Sequence, residues 1–197
     1  KLLQLMTKAG FDTVFIGIET VNQASLEECN KFQNQNRDIL ESILKIIRHG
    51  IQVQGGFIVG FDHDTPEIFK TLIKFIQKSG IVTAMVGLLI APPGTKLYRR
   101  LREENRLLPD ASGDNTDGTT NFIPKMGYES LIKGYRNILN TIYSPKQYYE
   151  RVRTFLKEYK PQKRMGRYIV MLEFLFPIVL GLIISYEDFK KSLIRNK

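Results

Sequence analysis

The chain has 197 residues and a formal net charge of +9, from 29 Lys and Arg against 20 Asp and Glu. Hydrophobic residues make up 43% and charged residues 25%, a balance that is typical of a globular protein and excludes a disordered chain. The length allows one domain with an appendage and a sizeable core. Cys29 is the only cysteine, which excludes an intrachain disulfide and a cysteine-rich metal site and indicates a reducing, cytoplasmic setting.

The first ten residues predict a helix that ends on Gly10 and leads at once into a strand. A compact unit seldom begins in this way. We therefore expect the chain to be a fragment of a longer protein whose N-terminal part is missing.

Residues 1–105 repeat one pattern three times. A predicted helix ends in a glycine, at Gly10, Gly50 and Gly80, and an apolar strand follows each of them. The predicted strands are 13–19, 51–60 and 82–91, and helices with apolar residues at helical spacing cover 38–49 and 66–79. Such units predict parallel strands with right-handed crossovers. The pattern alone leaves a barrel and an open sheet undecided.

Further helices are predicted at 96–104, 128–142 and 145–159. Thr95 is expected to cap the first of these, and Ser25 to Glu28 form a capping-box pattern. The polar segment 109–121 is too long for a simple connection, so it is either a functional lid or binding loop, or a spacer.

The last third is basic and then apolar. Residues 146–167 contain eight basic and two acidic side chains, and residues 168–186 carry one charge, Glu173, and one proline, Pro177. The apolar segment approaches the length that spans a bilayer. A spanning helix is the least favoured reading; a helix at the membrane surface and a helix docked on the protein stay open.

Residues 55–66 combine a glycine-flanked apolar strand, an acidic turn and a proline-started helix. Because glycine lacks Cβ, a flat cofactor can lie against the backbone at Gly56 and Gly60. The turn Asp62-His63-Asp64 follows the carboxyl end of the strand, where parallel α/β folds bind their ligands. The same residues also suit an ordinary strand-to-helix turn without a ligand. Adjacent residues seldom all ligate one ion, so we assign no metal site.

Glu19 is a second candidate site residue. It ends the buried run from Val14 to Ile18 and presents a carboxylate at the carboxyl end of its strand. A carboxylate there needs partners. Ligand hydroxyls or an ammonium group are one possibility, and a salt bridge to Lys or Arg on a neighbouring loop is the other.

Three motifs together carry a resemblance to a known family: VFIGIET at 14–20, QGGFIVGFDHDTPEIF at 54–69 and AMVGLLIAPPGTKLY at 84–98. They resemble the second half of the radical S-adenosylmethionine (SAM) core, and most closely its cobalamin-binding subgroup. Residues 112–152 are similar to the C-terminal extension of an uncharacterised branch of that subgroup. The resemblance runs from Lys1 to about Pro161.

The resemblance implies an α/β fold, the C-terminal half of a partial (βα) TIM-like barrel, followed by an α-helical extension. It divides the chain into the half-barrel (1–106), a polar loop with helices (107–162) and a basic, apolar helical tail (163–197). The residues it assigns to SAM binding are Glu19, Thr20, Gly56, Ile58, Gly60, Asp62, Leu89, Ala91 and Pro92. Glu19 would contact the ribose or methionine part, Ile58 the adenine, and Leu89, Ala91 and Pro92 would pack near the adenine.

Two departures from the family pattern stand out. Many relatives have Gly-x-Pro-Gly-Glu-Thr where this chain has residues 60–65, Gly-Phe-Asp-His-Asp-Thr, which puts the contact made by the family's Glu in doubt. The three cysteines that hold a 4Fe–4S cluster and the cobalamin signature are both absent. In the family both lie upstream of the first strand, so the cluster ligands and any cobalamin domain are expected outside this chain.

The resemblance implies an enzyme that cleaves SAM at a 4Fe–4S cluster to form a 5′-deoxyadenosyl radical, with methyl transfer to an unactivated carbon if cobalamin is present. The chain alone is expected to be inactive, and its catalytic residues are unassigned. The basic run and apolar tail suggest a small-molecule or lipid-like substrate and association with a membrane surface. The alternative is a non-catalytic, peripheral membrane-binding module. Nucleic acid is disfavoured, because the basic helices lack interleaved aromatic residues.

Overall fold

The computed structural model describes residues 1–108 and 118–161, which form a three-stranded parallel sheet with surrounding helices. The strands lie in the order β1 (Thr13–Glu19), β2 (Gln52–Val59) and β3 (Ala84–Leu88). The helices are α1 (Leu2–Lys8), α2 (Gln23–Glu28), α3 (Ile39–Arg48), α4 (Glu67–Ser79), α5 (Lys96–Glu103), α6 (Tyr128–Ile142) and α7 (Pro145–Glu158), with a 3-10 turn at Phe32–Asn34. The expected α/β class is confirmed, whereas closure into a TIM-like barrel stays a prediction.

Local sequence signals explain most of the element ends. Gly10, Gly50 and Gly80 all have positive φ, which glycine adopts without steric cost. Thr95 caps α5 as expected, its hydroxyl accepting a hydrogen bond from the backbone N–H of Tyr98. The capping box at Ser25 is wrong. Helix α2 begins two residues earlier because the Asn22 side chain accepts a hydrogen bond from the Ala24 N–H.

One face of the sheet is covered by helices. Side chains alternate along a strand, and Val53, Phe57 and Val59 of β2 are all buried in a hydrophobic core that α3, α4, α6 and α7 complete. The ring of Phe57 meets that of Phe75 edge-on, at 6.1 Å between centroids. Burial of these apolar side chains is the main source of the sheet's stability.

The opposite face of the sheet is open in the described chain. Phe15 of β1 is 57% exposed and Met85 of β3 is 49% exposed. Gly17 pairs with Gly56 across the first two strands. By strand alternation, the residues on this open face are Phe15, Gly17, Gln54, Gly56, Ile58, Met85 and Gly87. The face is therefore lined mainly by apolar side chains and glycines, and Phe15 and Met85 are exposed on it.

Helices α6 and α7 pack into the same core as the sheet. Gly134 of α6 lies so close to α4 that a Cβ there would be 2.1 Å from Cε2 of Phe69. One hydrophobic cluster thus includes residues from both sides of the domain boundary predicted near residue 106, and the boundary itself stays a prediction.

Arg151 of α7 lies in the basic run 146–167 but is not on the surface. Its side chain is fully buried and donates hydrogen bonds to the carbonyl oxygens of Val82 and Ile142 and to the Gln77 side chain. The guanidinium also lies over the ring of Tyr148, at 5.4 Å from its centroid. Burial lowers the pKa of Arg151 below its usual value. Arg151 therefore anchors α7 to α4 and to the segment before β3, and its side chain cannot face a membrane.

Within the described residues, no helix combines the length and apolar character needed to cross a membrane. The predicted apolar segment 168–186, the tail 163–197 that contains it, and positions 109–117 of the polar loop lie outside the described residues.

Candidate functional site

The open face of the sheet contains the glycine strand that the sequence singled out. Gly56 and Ile58 are half-buried and lie on that face. A Cβ at Gly56 would lie 2.8 Å from Cζ of Phe15, whose ring leans across from β1. Two reasons for glycine at 56 are therefore compatible with the geometry: it accommodates the Phe15 ring, and it leaves a shallow surface on which a flat ring can stack.

Glu19 ends β1 at a bulge in its pairing with β2 and has a φ of 68°. Positive φ is uncommon for glutamate and costs backbone energy, a feature often found at functional positions. Its Oε1 atom forms a salt bridge of 2.9 Å with Nζ of Lys31, so the salt-bridge alternative is present. No hydrogen bond to its Oε2 atom is found from residues 1–108 or 118–161, which leaves that oxygen available to a ligand hydroxyl or ammonium group.

Thr20 and Gly60 have local structural roles. The hydroxyl of Thr20 is buried and accepts a hydrogen bond from the N–H of Asn22, at the entry to α2. Gly60 has a φ of 109°, and a Cβ there would lie 3.0 Å from Cδ2 of Leu131. Glycine at 60 is thus required by backbone conformation and by packing against α6, whether or not a ligand is bound.

Asp62 is held by two arginines. Its side chain is 4% exposed and accepts hydrogen bonds from Arg100 and Arg106; for Arg106 the Nη2–Oδ1 distance is 2.6 Å. Burial alone would raise the pKa of Asp62, but the hydrogen bonds and charges of Arg106 and Arg100 hold it well below its usual range. Glu28 joins the cluster, accepting a hydrogen bond from the Asp62 N–H at 3.0 Å and from Arg100 at 3.2 Å. The structure therefore directs this carboxylate into an ion-pair network.

Asp64 organises the turn itself. It stands where many family members have Glu, and its Oδ2 accepts hydrogen bonds from the backbone N–H groups of Gly60 and Phe61, at 2.9 and 3.1 Å. Its Oδ1 accepts one from the Ser25 hydroxyl at 2.8 Å. Burial raises the pKa of Asp64, and these hydrogen bonds oppose the rise. The three side chains of the acidic turn thus point to different partners, since His63 contacts Glu28. In the part of the chain that the structure describes, no group of three His, Cys, Asp or Glu is arranged to hold a metal.

A cavity of about 700 Å³ lies beside this cluster, beyond the carboxyl ends of β2 and β3. Phe61, Leu89 and Leu97 give it apolar walls, while Glu28, Arg100 and Lys125 give it charged ones. Two of the predicted SAM-binding residues, Asp62 and Leu89, line this cavity. The arrangement provides a ligand-sized space at the edge where parallel folds bind their ligands.

The segment after β3 holds the last predicted site residues. Leu89 is half-buried, Ala91 is fully buried against Leu101 and Phe122, and Pro92 is exposed. The backbone of this segment is fixed by two side chains, Thr120 and Asn121. Ala91 therefore faces the extension with its side chain and offers only backbone to a ligand.

Four residues of this site were not predicted: Lys31, Arg100, Arg106 and Asn121. Their long-range contacts join residues from 12 to 72 positions apart along the chain, the longest being that of Arg100 with Glu28. Arg106 and Asn121 lie in irregular segments without periodicity. The only sequence signal was the presence of buried carboxylates at Glu19 and Asp62, each of which required a cation nearby.

Comparison with known proteins gives one family model and several relatives. Residues 95–186 match a domain of unknown function, DUF4070. An uncharacterised methyltransferase of Synechocystis sp. is 39% identical over 160 residues, which cover 80% of this chain and 30% of that protein.

Two further relatives carry more specific names. A hopanoid C-2 methylase of Rhodopseudomonas palustris is 35% identical over 74% of this chain and 27% of that protein. A bacteriochlorophyllide d C-12(1)-methyltransferase of Chlorobaculum tepidum is 26% identical over 73% of this chain and 31% of that protein. The chain thus spans less than a third of the length of each of these relatives, all of which are named as methyltransferases or methylases.

Proposed function

The chain belongs to the cobalamin-binding subgroup of the radical SAM superfamily, and from this membership we propose that it is the C-terminal part of a SAM-dependent, cobalamin-dependent methylase. The observation that carries the proposal is the open, glycine-lined face of the sheet, which ends at the Glu19 carboxylate. In the whole protein, SAM at a reduced 4Fe–4S cluster held outside this chain would supply a 5′-deoxyadenosyl radical that takes a hydrogen atom from the substrate carbon, and cobalamin would supply the methyl group that replaces it.

The residues of this chain fit the adenosyl part of SAM. Gly17 and Gly56 pair side by side, with the Glu19 carboxylate over the first and the Phe15 ring over the second, so a purine would reach this backbone when these two side chains move aside. Phe15 and Ile58 provide apolar surface on either side. Glu19 ends β1, and its carboxylate would accept a hydrogen bond from a ribose hydroxyl or an ammonium group. The role of the chain is to orient the cofactor and to keep water from the reacting atoms.

We extend the proposal to the substrate class, a large, mainly apolar molecule. Two relatives are named for methylating a hopanoid and a bacteriochlorophyllide, and both compounds are polycyclic and poorly soluble in water. A lipid-like substrate also suits the basic, apolar composition of residues 146–197. Recruitment to a membrane surface through the tail is part of this proposal.

The test uses the full-length protein, purified without oxygen and with its cluster reconstituted. Incubation with SAM, a reductant and hydroxocobalamin is expected to yield 5′-deoxyadenosine and S-adenosylhomocysteine, with both products lost when the reductant is omitted. Omission of cobalamin should abolish S-adenosylhomocysteine formation. Formation of neither product by a cluster-loaded protein would overturn the proposal and favour the non-catalytic membrane-binding alternative.

A further inference from the structure

Two side chains in the segment before α6, those of Thr120 and Asn121, form hydrogen bonds with the backbone that follows β3. The Asn121 amide accepts a hydrogen bond from the Ala91 N–H at 2.8 Å and donates one to the Ala91 carbonyl oxygen at 2.7 Å. The hydroxyl of Thr120 donates to the Leu89 carbonyl oxygen at 2.6 Å. Both side chains are buried, with 2% of Thr120 and 7% of Asn121 exposed. We call this pair of residues and its three hydrogen bonds the 120–121 clamp.

The amide of Asn121 is chemically suited to this contact. It offers one acceptor and one donor in a fixed plane, and it meets both backbone groups of one residue as a neighbouring strand would. An aliphatic side chain of similar size can do neither. Without it, the buried N–H and carbonyl of Ala91 would lose these partners, which is costlier than the hydrogen bonds themselves.

The clamp is itself held in place. Leu107 and Phe122 form an antiparallel bridge, with Leu108 N–H donating to the Asn121 carbonyl oxygen at 2.8 Å. Arg106, on the same short ladder, donates to the Ile123 carbonyl oxygen at 2.8 Å and pairs with Asp62 after β2. The pairing of Leu107 with Phe122 therefore connects the segment after β2, through Arg106, with the segment after β3, through Asn121.

The backbone at Leu89–Ala91 belongs to the segment that the family motif lays beside the adenine of SAM. We propose that Asn121 and Thr120 are positioning residues: through the clamp, the extension sets the position of this backbone against the cofactor. This inference rests on the proposed function, because it requires that SAM bind at the sheet. It assigns to the extension a direct influence on cofactor affinity in addition to any contact with substrate.

The experiment measures equilibrium SAM binding and steady-state kinetics of the full-length, cluster-loaded protein. Asn121→Leu keeps the size of the side chain and removes both hydrogen bonds, and Thr120→Val removes the third. We expect Asn121→Leu to weaken SAM binding about tenfold, the equivalent of one to two good hydrogen bonds. Thr120→Val should have a smaller effect in the same direction. The KM for the methyl acceptor should change less than twofold.

Two controls separate positioning from general destabilisation. Asn137→Leu changes an exposed asparagine of α6, and Val152→Ala opens a cavity in the buried face of α7. Val152→Ala should lower the thermal midpoint while SAM affinity stays at the wild-type value. If Asn121→Leu lowers the midpoint as Val152→Ala does and leaves SAM affinity unchanged, the clamp is merely structural and the inference is overturned. If the wild-type protein itself binds no SAM, the proposed function fails first and the inference fails with it.

Discussion

Glu19 combines a strained backbone conformation with a carboxylate whose two oxygens have different surroundings. Lys31 contacts Oε1 at 2.9 Å, while Oε2 receives no hydrogen bond from the described residues. A half-exposed salt bridge stabilises a protein by at most about 1 kcal/mol. The ion pair alone therefore gives little reason to keep a glutamate at positive φ, and a ligand contact gives a stronger one.

The prediction concerns Glu19→Ala and its control Lys31→Ala in the full-length protein. Glu19→Ala should weaken SAM binding about tenfold or more, because a hydrogen bond to a charged group contributes roughly 1.5–3 kcal/mol. Lys31→Ala removes the same salt bridge but leaves the carboxylate, so SAM affinity should change little. Equal dissociation constants for wild type and Glu19→Ala, measured by titration calorimetry, would reduce Glu19 to a structural residue.

Asp62 carries a buried charge that two arginines stabilise. Its pKa is held below the usual range by Arg106 and Arg100, against the effect of burial. The folded protein thus favours the ionised form more than the unfolded chain does. The resulting stability is fully present above the ordinary aspartate pKa, about 3.9, and is lost as the pH falls toward the lower, folded value.

Asp62→Asn should destabilise the full-length protein by on the order of 3 kcal/mol at pH 7, because two arginines lose their buried counter-charge. Between pH 5 and pH 3, the thermal midpoint of this variant should fall less steeply than that of wild type, because the variant has no carboxylate at position 62 to be protonated. Asp12→Asn, at an exposed position, is the control. An Asp62→Asn midpoint that falls with acid as steeply as that of wild type would contradict the assignment.

At the scale of elements, two glycines have opposite functions. A Cβ at Gly134 would enter the buried Phe69 ring at 2.1 Å, where α6 crosses α4. A Cβ at Gly56 would meet only the far end of Phe15, which is 57% exposed and has space to rotate away. The first glycine serves helix packing, whereas the second accommodates the Phe15 ring and, in the proposed function, the cofactor.

Alanine at each position tests this difference. Gly134→Ala should cost about 1–3 kcal/mol of stability through overpacking, with SAM affinity retained in the folded fraction. Gly56→Ala should leave the thermal midpoint within a few degrees of wild type and weaken SAM binding. The double variant Phe15→Leu/Gly56→Ala completes a double-mutant cycle in which SAM affinity is measured. Recovery of SAM affinity in the double variant would show that the added methyl group acts only by displacing Phe15.

Helix α7 depends on the buried guanidinium of Arg151. The side chain supplies hydrogen bonds to Val82, Ile142 and Gln77. Arg151→Met preserves much of the volume but leaves those oxygens without their donor, so we expect a loss on the order of 3 kcal/mol. Arg153→Met, beside Glu150 on the exposed face, should change stability by less than about 1 kcal/mol. Similar thermal midpoints for the two variants would contradict the anchoring role of Arg151.

The sequence was a good guide to elements and a poor guide to the contacts between them. Helix α6 was predicted with its observed bounds, since apolar residues recur at helical spacing from Tyr128 to Ile142. The glycine that ends α4 likewise marked its boundary. By contrast, the pairing of Asp62 with Arg106 spans 44 positions and that of Asn121 with Ala91 spans 30. No periodic pattern records such isolated pairs, and only the folded backbone brings them together.

For the whole molecule, the one-sided sheet is the feature that connects fold and function. Helices cover one face, and the other presents glycines between exposed Phe15 and Met85. A parallel sheet normally has both faces covered. We infer that further parts of the full-length protein and the cofactor lie against this face, as they do inside a barrel. The clamp and the Asp62 network then fix the backbone at the carboxyl edge of the sheet.

Photolabelling would locate the cofactor most directly. The full-length protein is irradiated with an azidoadenine analogue of SAM, with and without excess SAM, and the labelled tryptic peptides are identified by mass spectrometry. Complete tryptic cleavage isolates the three strands in peptides 9–31, 49–70 and 79–96. The proposal predicts SAM-protected label in these peptides, above all in 49–70, which contains Gly56 and Ile58. Protected label confined to other peptides, or no protected label, would contradict adenine binding on the open face of the sheet.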